Sequence, residues 1–561
     1  MPTPFPSIPL DILSAEGQDA NPAVQLFGRR FFADQTVPEL LIELLLVAAS
    51  PKRIGNTSLP VDRTIPGLDS LCDWPEGQPL RYSPRARLNL KLFAFMGASK
   101  LASRHSSHRE HYISLLAELQ SPERLRPPEG VSPREVVQTL ENLFLGFQAI
   151  GGRRTWCAQA FTPICPEVLA GDTIWNETEA RRRGVTTWAE VAEKMPQFFT
   201  VGRHRFVARG GEVLYLQLCN ALRQSPEQIR GWCEEADIGF GEDERSPERV
   251  RDALEVGLRR VLTGQCPEGV GALARFIDQV IEPETSQQTD CDDGGQPRFS
   301  DCGWCPSEGW PEGWLFALEL VHVCAAAVDP IERLELMQTA CALQLLRSLC
   351  AQSARYVEWA AEVREYAGPL GFVWALSDAS GDSTPAKRIS QRCVSRLQRL
   401  IREALRHPEI EEAVARRKYA VEANGKQAND LYPEADTRYG HKLFLSVAKR
   451  LGLIVPRQGP GARFVLNEHL LRYLVLSLLP PGKRVTYEGF KDLMFAHYGL
   501  AVDDRRLGAS SAWCGRTCLL TLGGEAEAWF MSMLEAAGFL VRLSDADSLV
   551  QNPFVEAERQ A

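Results

Sequence analysis

The strongest constraint on the fold is a helix-then-hairpin pattern that occurs twice within residues 431–561. Residues 439–454 (YGHKLFLSVAKRLGLI) predict a helix with one apolar face, and the following VPRQGPGARFVLN predicts two strands around a Gly-Pro-Gly turn. Residues 526–540 (AEAWFMSMLEAAGFL) predict a second amphipathic helix, with FLVRL, the turn SDAD and SLVQNPF as a second hairpin. This order is typical of winged-helix modules, so the sequence predicts a tandem winged-helix-like domain.

Basic side chains fall on both predicted units. In a winged helix the helix before the wing docks on nucleic acid, while the wing turn contacts the backbone. The candidate nucleic-acid-binding residues are Lys442, Lys449 and Arg450 on the first helix, Arg457 and Arg463 on its wing, and Arg542 on the second hairpin. Docking on another protein explains both units equally well. Between them, VTYEGFKDLMFAHYGL predicts a helix that Thr486 caps.

Length and charge set the broad class of the protein. A chain of 561 residues is too long for one core, so we expect a multidomain, mainly α protein. The net charge of −9 argues against wholesale coating of nucleic acid, which leaves a local basic patch as the expected contact. The first residues lack a secretory pattern, and the apolar run 40–50 is too short to span a bilayer. We therefore expect a cytoplasmic protein with no membrane contact.

Composition shifts along the chain predict five parts. They are a helical N-terminal domain (1–125), a mainly helical domain with some strands (130–285), an acidic cysteine-containing linker (286–312), a helical domain with an arginine-rich helix (313–430) and the winged-helix-like domain (431–561). In the second part, Ser132 and Glu135 predict a capping box, and 198–208 and 213–218 look like strands. From Pro330 a long run without Gly or further Pro predicts a central helix packed on more than one side.

An arginine stripe is the strongest electrostatic feature. It comprises Arg388, Arg392, Arg396, Arg399, Arg402 and Arg406, which recur at steps of three or four residues and so lie along one helical face. A neighbouring face is apolar. Two interpretations stay open: the stripe contacts phosphates beside the winged helices, or it pairs with the acidic surface of the protein itself. A second basic cluster, over 81–111, contains three histidines and predicts a polar or phosphate-facing surface rather than a metal site.

Cysteines in the acidic linker raise the question of zinc. Cys291, Cys302 and Cys305 have the spacing C-x10-C-x2-C, and His322 or Cys324 would supply a fourth ligand. His322 and Cys324 lie in an apolar helical run whose register serves the core, so we expect no metal. Redox chemistry at CGWCP is disfavoured because no strand leads into it. Most of the other cysteines lie in apolar helical contexts, which favours buried, reduced thiols.

Motifs of common enzyme classes are absent. The sequence contains no Walker A loop, no G-x-S-x-G elbow, no H-E-x-x-H and no G-x-G-x-x-G after a strand. We therefore assign no catalytic residue, no metal and no cofactor, and expect a protein that is not itself an enzyme. Widely spaced carboxylates of a nuclease would escape such a search.

Two segments resemble accessory proteins of bacterial anti-phage defence islands. They are RLELMQTACALQLLRSLCAQSARY at 333–356 and AAGFLVRLSDADSLVQNPF at 536–554. The islands are multigene systems, of the Druantia or Zorya kind, that pair a large helicase or ATPase with subunits of unknown chemistry. The resemblance implies a subunit of such a complex and carries over no catalytic residue.

These observations favour a non-catalytic DNA-binding or adaptor subunit of an antiviral defence complex. Its DNA contact would be non-specific, and its partner would be a separate helicase, ATPase or nuclease. The alternatives are a nuclease with an unrecognised active site and a winged-helix transcriptional regulator.

Overall fold

The computed structural model describes most of the chain, and the described residues are mainly helical. It describes residues 2–7, 21–29, 31, 35–60, 62–83, 113, 117, 120, 125–145, 174–175, 199–200, 210–264, 275–276, 279–280, 299–379, 385–416, 428–515, 527–543 and 548–555. The histidines of the 81–111 cluster and Cys291 lie outside these residues.

The described helices run through the whole length of the chain. They are α1 (Pro22–Phe27), α2 (Val37–Ala49), α3 (Leu68–Cys72), α4 (Pro133–Leu145), α5 (Gly210–Leu222), α6 (Pro226–Glu235), α7 (Pro247–Arg259), α8 (Trp310–Ala325), α9 (Pro330–Arg355), α10 (Glu358–Glu362), α11 (Pro385–Ala404), α12 (Pro408–Arg416), α13 (Ala428–Glu434), α14 (His441–Arg450), α15 (Glu468–Leu478), α16 (Tyr487–Tyr498), α17 (Asp504–Trp513) and α18 (Ala528–Ala536).

The described strands are short and form small sheets. They are β1 (Pro4–Phe5), β2 (Lys52–Ile54), β3 (Thr57–Ser58), β4 (Leu80–Tyr82), β5 (Ile174–Trp175), β6 (Phe199–Thr200), β7 (Ser300–Asp301), β8 (Cys305–Pro306), β9 (Trp374–Ala375), β10 (Ile454–Val455), β11 (Arg463–Phe464), β12 (Arg484–Thr486), β13 (Leu500–Ala501), β14 (Leu540–Arg542) and β15 (Ser548–Gln551). The largest of the described sheets has the order β3-β2-β4-β7, and β12-β15-β14 forms a three-stranded one. The remaining pairs are β1-β8, β5-β6, β10-β11 and the parallel pair β9-β13.

Local capping signals are confirmed. At α4 the Ser132 N–H donates to Glu135 Oε2 over 2.8 Å, and the Glu135 N–H donates to Ser132 Oγ over 3.2 Å. At α16 the Thr486 hydroxyl accepts from the Gly489 N–H over 3.1 Å. Both caps satisfy backbone donors that the first helical turn leaves without a partner.

The strand predicted at 213–218 is wrong, because these residues lie within helix α5. Every residue of α5 is buried, so the helix is packed around its whole circumference. An apolar run of six residues has the same pattern in a buried strand and in a buried helix. In the structure α5 packs against both α2 and α8. These contacts with distant parts of the chain favour the helix, and a local sequence pattern does not reveal them.

Helix α9 is the centre of the described structure, as the run after Pro330 predicts. The Asp329 carboxylate caps it by accepting from the Ile331 N–H over 2.8 Å. Helices α2, α8, α11 and α14 all pack against it. The helix is therefore buried on several sides, and it joins the N-terminal and C-terminal parts of the chain.

One continuous hydrophobic cluster extends from Phe5 to Val550. It includes buried side chains from every part that the sequence predicts as a domain, and Cys302 and Cys305 of the predicted linker. The domain boundaries remain predictions. Within the described residues, none of the helices combines the length and the apolar character that crossing a bilayer requires.

Candidate functional site

The arginine-rich helix α11 packs on the core through its apolar face. Leu397, Leu400 and Ile401 are fully buried there. The arginines lie on the remaining circumference, as the spacing predicts. The structure then divides the stripe into arginines that contact neighbouring side chains and arginines that form no ion pair with the described residues.

Arg396 and Arg399 are engaged with neighbouring side chains. The guanidinium of Arg396 lies 3.3 Å from the centre of the Trp359 ring, a cation–π contact. Arg399 Nε donates to Glu403 Oε1 over 2.6 Å, and Trp359 Nε1 donates to Glu403 Oε2 over 2.5 Å. Burial and the neighbouring Arg399 lower the pKa of Arg396 from its ordinary value. Both arginines therefore contribute to an internal arrangement around Trp359.

Arg406 is also paired. Its Nη2 donates to Asp436 Oδ2 over 2.6 Å and its Nη1 to Asp436 Oδ1 over 3.1 Å, in a bidentate pair. The guanidinium also lies 5.4 Å from the centre of the Tyr432 ring. Arg406 thereby ties the end of the α11 region to the segment before α14.

Arg388, Arg392 and Arg402 differ from the other three. None of them forms an ion pair with any residue in the described part of the chain. Arg388 and Arg402 are exposed, and Arg392 is half-buried. We name these three the free arginines; they are the members of the stripe that are open to an external anion.

The first C-terminal hairpin, β10-β11, docks directly on α11. The Phe464 N–H donates to Ser390 Oγ over 2.7 Å, and Gln391 Nε2 donates to the Gly461 carbonyl over 3.4 Å. The turn of the hairpin therefore lies beside the part of α11 that carries Arg388 and Arg392. Arg457 on the hairpin is exposed. Arg463 is partly engaged, because its Nη2 donates to the Ala379 carbonyl over 2.9 Å.

Helix α14 meets the other end of the stripe. The pKa of the buried His441 is affected by the charges of three cations, which are Arg402, Arg406 and the exposed Lys442. Burial lowers the pKa of His441, Asp436 opposes this, and the three cations lower it further. Asp436 Oδ1 lies 3.8 Å from His441 Nδ1 and also accepts from Arg406, so His441 and the adjacent Lys442 come close to the end of the arginine stripe, although the two lie far apart in sequence.

Of the other candidate residues, Arg450 and Arg542 have local partners. Arg450 Nη1 donates to the Gln35 carbonyl over 3.2 Å, and Lys449 is half-buried on the same helix. Arg542 on β14 pairs with Glu535 at 2.7 Å. No contact among the described residues joins Arg542 to the free arginines. The candidate surface thus comprises the free arginines, Arg457 and Lys442.

The linker cysteines provide no metal site within the described residues. Cys302 and Cys305 are buried, and burial raises the pKa of the Cys305 thiol well above its ordinary value. Cys324 is buried on α8, and its pKa is raised to about 12 by burial. No group of three His, Cys, Asp or Glu side chains is arranged for a metal ion in the described part of the chain.

A buried ion pair has no counterpart among the residues predicted from the sequence. Arg347 on α9 binds Glu319 on α8 through both guanidinium nitrogens, at 2.7 and 3.0 Å, and both side chains are fully buried. His497 Nδ1 donates to Glu319 Oε1 over 2.9 Å, and Gln344 Oε1 accepts from Arg347 Nε over 2.8 Å. Burial acts to raise the pKa of the Glu319 carboxyl, but Arg347 and His497 outweigh it and hold that pKa below its ordinary value.

A cleft of about 1060 Å³ opens beside this ion pair. His497 and His322 line it, and His322 Nδ1 donates to the Ser477 carbonyl over 2.7 Å. Acidic side chains outnumber basic ones around it; the charged lining residues are Glu235, Asp237, Glu244, Glu365 and Asp492 against Arg364, Lys483 and Arg505. A polyanion is therefore a poor ligand for this cleft.

Comparison with known proteins identifies no relative: no protein-family model, no curated protein and no solved structure matches this chain. The fold and surface define a mainly helical protein with a local basic surface on an acidic body.

Proposed function

We propose that this protein is a non-catalytic, nucleic-acid-binding subunit of a larger complex. The observation that carries the proposal is the set of free arginines on α11, with Arg457 and Lys442 beside them. Arginines that have no acidic partner among the described residues are available to phosphate oxygens, for which a planar guanidinium is well suited. Because the contact is to the backbone, the binding would be non-specific in sequence.

The two helix-and-hairpin units give the proposal its geometry. Helix α14 precedes hairpin β10-β11, and α18 precedes β14-β15. We propose that the first unit acts as a winged helix, with Lys442 on the helix and Arg457 on the wing turn facing the duplex. The described residues of α18, β14 and β15 carry no comparable cluster of free cations, so we assign the second unit to docking on a partner protein.

The biological setting is proposed from the two segments with defence-island resemblance. Residues 333–356 form most of central helix α9, and 536–554 include the second hairpin. We propose that the chain is an accessory subunit of a multigene anti-phage system, acting in the cytoplasm beside a separate helicase or ATPase. The nuclease alternative gains no support from the described residues, because no group of three His, Cys, Asp or Glu side chains among them is arranged to hold a metal ion.

Charge reversal of the free arginines tests the proposal. Arg388→Glu/Arg392→Glu/Arg402→Glu is expected to abolish most duplex binding at low salt. Each lost phosphate contact should lower the log–log salt slope by about 0.9, so three contacts lower it by about 2.7. Fluorescence anisotropy with a labelled 30-base-pair duplex (about three helical turns) over a salt series would measure both quantities.

The matched control is Arg364→Glu/Lys483→Glu/Arg505→Glu, which changes the net charge equally at the cleft. It should retain the affinity and salt slope of the unmodified protein, apart from a small long-range effect that salt screens. Equal losses in the two triple variants would show that net charge, rather than this surface, governs binding. Cleavage of the duplex by the unmodified protein would favour the nuclease alternative.

A further inference from the structure

Two cysteines meet directly beneath the arginine stripe. Cys393 lies on α11 and Cys514 follows the last residue of α17, and their sulfur atoms are 3.6 Å apart. Cys393 is fully buried, whereas Cys514 is partly exposed. The pair thus combines one thiol that solvent reaches with a second thiol held in contact behind it.

The surroundings shift the pKa values of the two thiols in opposite directions. The hydrogen bond from Cys393 lowers the pKa of Cys514, burial opposes this, and the charges of Arg396 and Arg392 lower it further. Burial, together with the Cys514 sulfur, raises the pKa of Cys393 well above its ordinary value. Thiolates rather than thiols are nucleophiles, so Cys514 is the reactive member and Cys393 the resolving one.

Cys514 lies at the end of a helix rather than within it. Closing a disulfide requires the sulfur–sulfur distance to fall from 3.6 Å to about 2.05 Å. Cys514 lies at the C-cap of α17, and Gly515 after it has open space at its Cβ position. Closure therefore requires the sulfurs to approach by about 1.5 Å, with Cys514 at a helix end, where the backbone frays more readily than within a helix.

We propose that Cys514 and Cys393 form a peroxide-reactive dithiol that closes reversibly to an intramolecular disulfide. The Cys514 thiolate attacks one oxygen of hydrogen peroxide, the O–O bond breaks, and hydroxide leaves and takes up a proton to become water. Cys514 is then a sulfenic acid. The Cys393 sulfur attacks the Cys514 sulfur, the S–O bond breaks, and the departing hydroxide receives the Cys393 proton. Two thiols are oxidised by two electrons, and one peroxide is reduced to two waters.

The disulfide would join α11 to α17 in a region that already has aromatic reporters. Trp359 stacks under Arg396, and its ring centre lies 5.9 Å from that of Trp513, the residue before Cys514. Oxidation would therefore change tryptophan fluorescence as well as the thiol content. It would also act on the helix that carries the free arginines, independently of whether those arginines bind nucleic acid.

Peptide mapping of the full-length protein tests the proposal. The reduced protein is treated with a few equivalents of hydrogen peroxide, blocked with N-ethylmaleimide and digested without reduction. A peptide linking Cys393 to Cys514, lost again after dithiothreitol, is expected before other cysteines are modified. In Cys393→Ala, which lacks the resolving thiol, dimedone should trap a sulfenic acid at Cys514.

Control variants separate this pair from general thiol oxidation. Cys72 is exposed and lies at the end of α3, a different element, so Cys72→Ser should leave the linked peptide unchanged. Cys514→Ser should abolish both the linked peptide and the fluorescence change. An unmodified Cys514 after peroxide, or a Cys514 linked instead to Cys518, which follows it in the sequence, would overturn the assignment.

Discussion

Replacing Arg347 with methionine should destabilise the protein strongly, far more than the loss of an exposed arginine. The substitution leaves Glu319 fully buried without its counter-ion. Removing one partner of a buried pair costs roughly 3–5 kcal/mol, because the remaining charge keeps its desolvation penalty. The hydrogen bonds of the same network would also be disturbed. His497 donates to Glu319, and Gln344 accepts from Arg347. Urea unfolding followed by circular dichroism should show a large fall in the midpoint.

Two further variants test the cause of that loss. Glu319→Leu/Arg347→Met removes both charges, so it should recover a large part of the stability lost in the single variant. Arg416 forms an exposed pair with Glu412, with about two thirds of each side chain accessible, and Arg416→Met should change the midpoint little. Similar midpoints for the Arg347 and Arg416 variants would contradict the argument.

Adding one methyl group at Gly211 should also be strongly destabilising. Helix α5 crosses α2 so closely here that a Cβ atom on Gly211 would lie 2.5 Å from the Leu40 carbonyl oxygen and 2.6 Å from the Leu44 nitrogen. These are backbone atoms, which cannot rotate away. Gly211→Ala therefore forces the helices apart, at a cost of about 1–3 kcal/mol or more. The midpoint of urea unfolding is the appropriate measurement.

Gly231 provides the matched control. It also lies within a helix, α6, but a Cβ atom there would meet nothing within 4 Å. Alanine is favoured over glycine inside a helix by about 0.5–1 kcal/mol, so Gly231→Ala should be neutral or stabilising. Opposite shifts are expected in the two variants, and a loss at Gly231 equal to that at Gly211 would refute the close-crossing explanation.

The sequence predicted features whose causes are local. The capping residues Ser132 and Thr486 lie within three residues of the groups they satisfy, and both caps are confirmed. The amphipathic pattern of α14 and the hairpin after it are confirmed for the same reason. Periodicity likewise placed the apolar face of α11 on the core.

Features that depend on distant partners were not predictable. The composite network of Glu319, Arg347 and His497 joins residues that lie 28 to 178 positions apart. The division of the arginine stripe depends on Trp359 and Asp436, which belong to other elements. The strand error at 213–218 has the same origin, since packing on all sides of α5 overrides a local pattern that suits either structure.

The attachment of hairpin β10-β11 to α11 has a thermodynamic consequence. Phe464 is fixed on both of its backbone groups: its N–H donates to Ser390 Oγ, and its carbonyl accepts from Ser377 Oγ over 3.0 Å. Wing and helix would then move as one body, so a ligand touching both meets charges already in position. Little conformational entropy remains to be lost on association. Calorimetry should therefore give a small heat-capacity change, unlike the large negative value of a segment that folds as it binds.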